Sequence, residues 1–524
     1  MDTVAFYCLL ALLPLLYCFV ALFHGSRDSG LRLPPGPWRL PLVGSLHHLL
    51  GALPHRALRD LARRHGPVML LRFGEAPVVI ASSADAAREV LKTHDGVFST
   101  RPLSAVVRAF TKHGAGITFA PYGEHWRQMR KICRLELLSP ARILTFRAVR
   151  EEEAARLVKT IASSSSSASS SPAVAPALVN LSELLGNYVT DTTVHIIMGE
   201  RFRERDALLR YVDEAVRLAG SLTLADLFPS SRLARALSSA TLRATDKFID
   251  SLMEFMDCVI REHLEKRSCQ GEREDDIIDV LLRLQAEGTL HFELTTGIIK
   301  AVIFVSSCHV FLSISLSIHD LFSGGSETAT TTLQWAMAEL MRNPNVMSRA
   351  QAEVREAYRE KMKVTEEGLN NLAYLHCIVK ETLRLHIPGP LGLPRECQEQ
   401  CQILAYDIPK GATVFINIWA ICRDSEYWDE SEKFIPERFE GSTIEYKGNN
   451  FEFLPFGAGR RICPGMQFGL ANIELALANL LFYFDWSLPE GVLLEDMDMT
   501  ETMGITARRK EDLSVQATPC AQIP

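Results

Sequence analysis

Ten residues, Phe456-Gly457-Ala458-Gly459-Arg460-Arg461-Ile462-Cys463-Pro464-Gly465, set one cysteine among glycines and beside two arginines. A thiolate that ligates an iron must be deprotonated, kept from bulk water and held by backbone. Gly457, Gly459 and Gly465 let the chain turn tightly and bring amide N–H groups to the sulfur, where they stabilise its negative charge and tune the metal. Phe456 is placed to cover the sulfur, and Arg461 to pair with a haem propionate. The competing reading is a buried free cysteine in a glycine-rich loop, the usual state of a lone Cys.

The spacing F-x-x-G-x-R-x-C-x-G is matched at every fixed position, and on these residues the chain resembles a cytochrome P450, a haem-thiolate monooxygenase. The resemblance implies a mainly α cytochrome P450 fold with small β-sheets, haem b with Cys463 as its axial ligand, and NADPH-cytochrome P450 reductase as electron donor. It also lends weight to motifs that are weak alone. Glu381-Thr382-Leu383-Arg384 puts a Glu and an Arg on one helix face, and an exposed pair of this kind contributes only about 0–1 kcal/mol. In the family a second arginine completes a buried network behind the cysteine loop, and Arg438 in Pro436-Glu437-Arg438-Phe439 is its match.

Trp126 and Arg130 lie one helical turn apart and would suit a single propionate, against the plainer reading of an amphipathic helix with basic decoration. Arg395, in Leu393-Pro394-Arg395-Glu396, resembles a further propionate position. Gly324-Gly325-Ser326-Glu327-Thr328 resembles the family's distal helix, in which small residues leave room for dioxygen. Thr328 would hold or donate a hydrogen bond and Glu327 would connect it to solvent for proton delivery. Ser326 as the N-cap of a helix beginning there is the competing reading.

These residues need a scaffold. The 524 residues are 47% hydrophobic and 23% charged, enough for an ample core. A net charge of −7 argues against nucleic acid as a partner. Twelve cysteines without zinc spacing or a short disulfide framework suit a reducing compartment. Residues 1–25 read as a transmembrane anchor: Ala5 to Phe23 is an uncharged apolar run long enough to cross a bilayer, with Arg27 and Arg32 after it. That charge asymmetry places the remainder in the cytosol, and a cleaved signal is the alternative. Residues 26–45 form a proline-rich hinge around Leu33-Pro34-Pro35-Gly36-Pro37-Trp38, and 46–524 the haem-thiolate domain.

Val68 to Arg72 and Val78 to Ser82 read as strands about a turn at Phe73 to Pro77. Helical periodicity follows at Ala84 to Thr93, Gly123 to Leu137, Ala141 to Ile161, Asp246 to Arg267, Ser326 to Arg342 and Asn345 to Glu360. Ser163 to Ser171 reads as an exposed loop. One segment departs from the family pattern. Val305 to His319 separates two stretches that read as continuous, and its Leu312, Ile314, Leu316 and Ile318 alternate with serines at period two, as a strand would. Forced helical, fifteen residues would set the flanking halves about 60° out of phase and add roughly 22 Å. The segment reads as a translated unspliced segment or gene-model error, with a genuine looped insertion as the alternative.

The segments matching substrate-facing positions are Arg101 to Phe119, Leu222 to Phe228, Phe322 to Thr328, Pro388 to Leu393 and Met503 to Ile505. They are mostly apolar, with Ser323, Thr328 and Thr506 among the few hydroxyls, which favours a hydrophobic small molecule held by shape. The resemblance to plant microsomal members implies a single-pass endoplasmic reticulum membrane enzyme acting on terpenoids or other specialised metabolites. Two other readings stand beside it: a catalytically silent haem-binding relative disabled by the 305–319 insert, and a non-oxygenase rearrangement enzyme of the same fold.

Overall fold

The computed structural model describes residues 30–110, 117–166, 178–199, 205–219, 223–270, 276–287, 316–504 and 506–524. The expected anchor, Ala5 to Phe23, lies outside the described residues, among which no helix is long and apolar enough to cross a membrane. The hinge is extended and tied down: Leu70 N–H donates to Pro35 O at 2.9 Å, and Asp407 N–H to Arg32 O at 2.8 Å. Pro34 and Pro37 are buried, so the prolines stiffen a strap lying against the domain.

The fold is mainly helical with small sheets. Helix α1 (Pro54–His65) precedes strands β1 (Val68–Phe73) and β2 (Ala76–Ala81), which pair antiparallel from Val68↔Ala81 to Phe73↔Ala76. The main helices follow as α2 (Glu124–Ile132), α3 (Arg147–Ser166), α4 (Leu181–Met198), α5 (Arg232–Gln270), α6 (Leu316–Arg342), α7 (Pro344–Ala357) and α8 (Ala373–Leu385). Strands β3 (Arg395–Glu396) and β4 (Thr413–Ile416) then complete a four-stranded sheet of order β1-β2-β4-β3, with β2 and β4 parallel. Helix α9 (Met466–Tyr483) leads to a C-terminal hairpin of β5 (Glu501–Met503) and β6 (Ala507–Arg509).

Helices α6 and α9 form the central layer. Leu333, Trp335, Ala336, Met337, Ala338 and Leu340 of α6 are wholly buried, as are Leu475 to Ala478, Leu480 and Leu481 of α9. A helix apolar all round is buried all round, so α9, which reads Leu475-Ala476-Leu477-Ala478 with no polar stripe, belongs in the middle of the domain. Helices α4 and α8 pack on this layer and place the rigid frame behind the cysteine loop and above it.

Four expectations need correction. The helix expected over Ala141 to Ile161 is broken at Phe146 into Pro140–Thr145 and α3, the first capped by the Ser139 side chain. Ser163 to Ser166, expected in a loop, continue α3, where Ser163 and Ser164 hydroxyls donate to Thr160 O at 2.9 Å. Leu316 to His319, expected in period-two alternation, are the first turn of α6, while 305–315 lie outside the described residues. Ser326 is no N-cap, since α6 begins ten residues before it and Gly324 to Thr328 sit in its interior.

Candidate active site

A cavity of about 1700 Å³ lies between α6 and the cysteine loop. Its proximal wall is Pro455 to Gly457 and Cys463 to Gly465. Gly457 and Gly459 adopt φ of +68° and +72°. A Cβ on Gly459 would fall on Leu91 O and lie 2.8 Å from Asp95 Oδ1, so only glycine fits there. The turn closes as Cys463 N–H donates to Phe456 O at 2.9 Å, and α9 starts three residues after the sulfur with Gly465 as its N-cap. The sulfur's exposed surface faces the cavity, inside the fold. Burial pushes the Cys463 thiol above its ordinary range, while the Gly465 N–H and the Arg130 charge act to lower it. A helix N-terminus aimed at the sulfur favours the anion further.

Behind this loop stands the network expected from Glu381, Arg384 and Arg438. Arg384 Nε donates to Glu381 Oε2 at 2.7 Å and Arg384 Nη2 to Glu381 Oε1 at 2.9 Å, with both side chains 0% exposed. Arg438 Nε donates to Glu381 Oε1 at 3.0 Å, and so does Ile435 N–H at 2.8 Å. Arg384 Nη1 also donates to Cys422 O and Ser431 O, at 2.8 and 2.7 Å. A buried charge is tolerable only when every donor and acceptor is met. Here α8 is pinned to the segment leading into the loop.

The rim gathers the expected cations. Arg461 is buried and donates to the carbonyls of Ser99 (2.7 Å), Ile117 (3.1 Å), Thr118 (3.3 Å) and Ala120. Its guanidinium carbon lies 4.4 Å from the Trp126 ring centroid, and the Trp126 indole donates to Ile117 O at 3.0 Å. Arg130 donates to Ile462 O, and burial lowers its pKa. Arg395, on β3, donates to Asp95 Oδ1 (3.4 Å), Phe98 O (3.3 Å) and Ala458 O (3.2 Å), and burial brings its pKa down to about 10. Asp95 also accepts from the backbone and side chain of Arg460, at 3.1 and 3.2 Å. Sequence reasoning missed Asp95: it is 300 residues from Arg395, and no local spacing links them.

On the distal wall, Gly324, Gly325, Glu327, Thr328, Ala329 and Thr332 of α6 line the cavity. Thr328 Oγ1 donates to Gly324 O, and Thr332 Oγ1 to Thr328 O at 2.9 Å. Glu327 accepts from Thr506 Oγ1 at 2.6 Å. Thr506 was expected near the pocket, but its bond to Glu327 crosses 179 residues and has no sequence signal. Pro388, Gly389 and Leu391 to Leu393 complete the walls with Leu103 and Phe119, whereas Thr193 and Thr332 add hydroxyls beyond those expected. The side chains of Ser323 and Ile505 lie outside the described residues.

The donor set fits a haem: a cysteine sulfur open to one face, the three guanidinium groups of Arg130, Arg395 and Arg461 at the rim, and a cavity with mostly apolar walls. Such a fold and site define a haem-thiolate protein. Residues 34–514 match the profile of the cytochrome P450 family, and the chain belongs to that family. It is similar to dolabradiene monooxygenase of Zea mays (46% identity, 92% of each chain). It is likewise similar to premnaspirodiene oxygenase of Hyoscyamus muticus (44%, 95% of each) and 5-epiaristolochene 1,3-dihydroxylase of Nicotiana tabacum (43%, 95% of each). Among solved structures, a zebra fish cytochrome P450 determined with abiraterone superposes with a TM-score of 0.71 over 89% of this chain and 99% of its own, at 23% identity. The protein is a cytochrome P450 monooxygenase with a haem cofactor held by a cysteine thiolate.

Proposed function

We propose that this monooxygenase inserts one oxygen atom from O2 into a terpenoid hydrocarbon, with electrons from NADPH-cytochrome P450 reductase, while anchored in the endoplasmic reticulum membrane by residues 1–25. The observation that carries this reading is the cavity: an apolar chamber with Cys463 open on one wall and Glu327 and Thr328 on the other. The three plant relatives are named for oxygenating dienes or related skeletons, which supports the substrate class. No relative named here supports a catalytically silent protein.

Haem supplies the electron-transfer and dioxygen chemistry of the reaction. Cys463 is the residue to ligate its iron, with Phe456 beside it in the cavity wall and the Gly465 N–H acting on the sulfur. Arg130, Arg395 and Arg461 are the cations for the propionates, with Trp126 stacked under Arg461. Overall, substrate, O2, NADPH and one proton give alcohol, water and NADP+. Protons must therefore reach the distal side. Glu327 takes them from solvent, and Thr328 holds the last hydroxyl over the reacting face.

The apolar walls position the substrate by shape and exclude water, so selectivity for one carbon comes from packing. The test is expression with the plant reductase in microsomes, and incubation with terpene hydrocarbons of fifteen and twenty carbons. A reduced carbon monoxide band at the thiolate position, together with NADPH-dependent alcohol products, is the expected result. Haem uptake with no product from any hydrocarbon would sink the substrate assignment.

A further inference from the structure

We infer that Thr506 is a positioning residue for the distal acid: from the C-terminal hairpin it fixes the rotamer of Glu327 and makes proton delivery responsive to what fills the cavity. This rests on the function proposed above.

Three hydroxyl and carboxylate groups line up in one direction. Thr331 Oγ1 lies 3.5 Å from Thr506 Oγ1 as donor, and Thr506 Oγ1 donates to Glu327 Oε1 at 2.6 Å. Thr331 and Thr506 are both 2% exposed, so neither hydroxyl exchanges partners with bulk water. A short bond from a buried hydroxyl holds the carboxyl group in one geometry. One carboxylate oxygen is thereby committed to the hairpin.

The hairpin is itself rigidly mounted. Trp335 Nε1, in the core of α6, donates to Ala507 O at 3.1 Å, and Ala507 N–H donates to Pro388 O at 2.9 Å. Glu501, at the start of β5, accepts from His55 Nε2 at 3.1 Å and Arg56 Nη2 at 3.1 Å. Gly504 N–H donates to Thr506 O at 3.0 Å and closes the turn. Thr506 also lines the cavity, so a substrate packed against this turn touches the group that orients the acid. A residue of the specificity wall is thus hydrogen-bonded to a residue of the proton path, 179 positions away.

The test compares full-length Thr506→Val, Thr506→Ser and Glu327→Gln, and the double variant Thr506→Val/Glu327→Gln, with the reductase. Hydrogen peroxide formed per NADPH consumed is the main readout, and it is measurable with or without substrate. Thr506→Val should keep the haem content and carbon monoxide band of the wild type yet raise peroxide per NADPH several-fold. The ferric visible spectrum at a fixed pH should also change, because the carboxylate loses the hydroxyl that fixes its geometry. Thr506→Ser should restore both. In the Glu327→Gln background, Thr506→Val should add nothing, since the two residues act as one unit. Equal effects of Thr506→Val in both backgrounds, or failure of the serine to rescue, would overturn the assignment. Because peroxide partition and the ferric spectrum need no substrate, a wrong substrate class leaves this test decisive.

Discussion

The wall carrying Cys463 and the wall carrying Thr328 face one cavity but are held by different means. The proximal wall is built from short-range geometry: a ten-residue turn with two left-handed glycines, closed on itself and braced by a buried Glu381-Arg384-Arg438 cluster. The distal wall is one face of α6, completed by a hairpin from the far end of the chain. Local spacing specifies the turn of the first, while tertiary packing supplies its brace and the whole of the second. A single substitution on the proximal side should therefore remove a component outright, whereas changes on the distal side should shift how well components meet.

The largest effect would come at the centre of the proximal wall. Cys463→Ser should abolish the thiolate-type carbon monoxide band and bring product to background, measured by difference spectroscopy and product analysis on microsomes. Retention of that band would show that the sulfur facing the cavity is not the ligand, and the contrast between the two walls would lose its basis. Next is Glu381→Ala, which strands Arg384 and Arg438 without their carboxylate. Removing one partner of a buried charged cluster costs roughly 3–5 kcal/mol. Urea unfolding and the fraction of chain carrying haem should both report it, and a loss under about 1 kcal/mol, the scale of an exposed pair, would mean the cluster is not a brace.

How much of this is readable beforehand follows the same division. The loop and the Glu381-Arg384 pair are legible because each lies within a few residues and has fixed spacing, whereas the completion by Arg438, 57 residues from Glu381, is legible only through the family resemblance. Arg461 and Trp126 are legible as site residues, but not their shared carbonyl, Ile117 O. Ser326 invites an N-cap reading because Ser before Glu is a helix-start signal; α6 overrides it by beginning upstream. Asp95 and Thr506 are illegible, because nothing in Thr93-His94-Asp95-Gly96 points to Arg395, and nothing around Gly504 points to Glu327. Propensity sees elements; only packing joins their faces.

The hairpin that mounts Thr506 offers a pH test of the distal side. Burial pushes Glu501 up, but the His55 hydrogen bond and the charges of Arg56, His55 and His386 outweigh it and hold the carboxyl at about 2, below the usual 4.5. A depressed carboxylate contributes stability that is fully present above its unfolded pKa and lost as pH falls through its folded one. The window is therefore pH 4.5 down to about 2, and the contribution is on the order of 3 kcal/mol. Glu501→Gln should be less stable than wild type at pH 7 by up to about that amount. The gap should narrow below pH 4.5, as thermal unfolding across pH would record. A gap independent of pH would assign the loss to packing instead. It would also detach the hairpin's mounting from its charge.

The smallest effect in free energy concerns the segment Val305 to His319, which precedes Gly324 and Thr328 on the distal side only. Joining Phe304 to Asp320 restores the continuous pattern on either side of it and shortens the approach to the distal residues by fifteen positions. Positioning errors near 1 Å lower turnover by about 10²-fold, equivalent to about 2.7 kcal/mol. The shortened chain should therefore turn over a terpene hydrocarbon up to about 10²-fold faster. Its haem content and carbon monoxide band should stay unchanged, since Cys463 and the Glu381 cluster do not involve this segment. Peptide mapping of the native protein is the companion measurement, and a peptide running from Phe304 directly into Asp320 would show that the segment is absent from it. Equal turnover by the two forms would mean that the distal wall tolerates fifteen extra residues before it. The hairpin and the core of α6, and not the approach to the helix, would then be what positions Glu327 and Thr328.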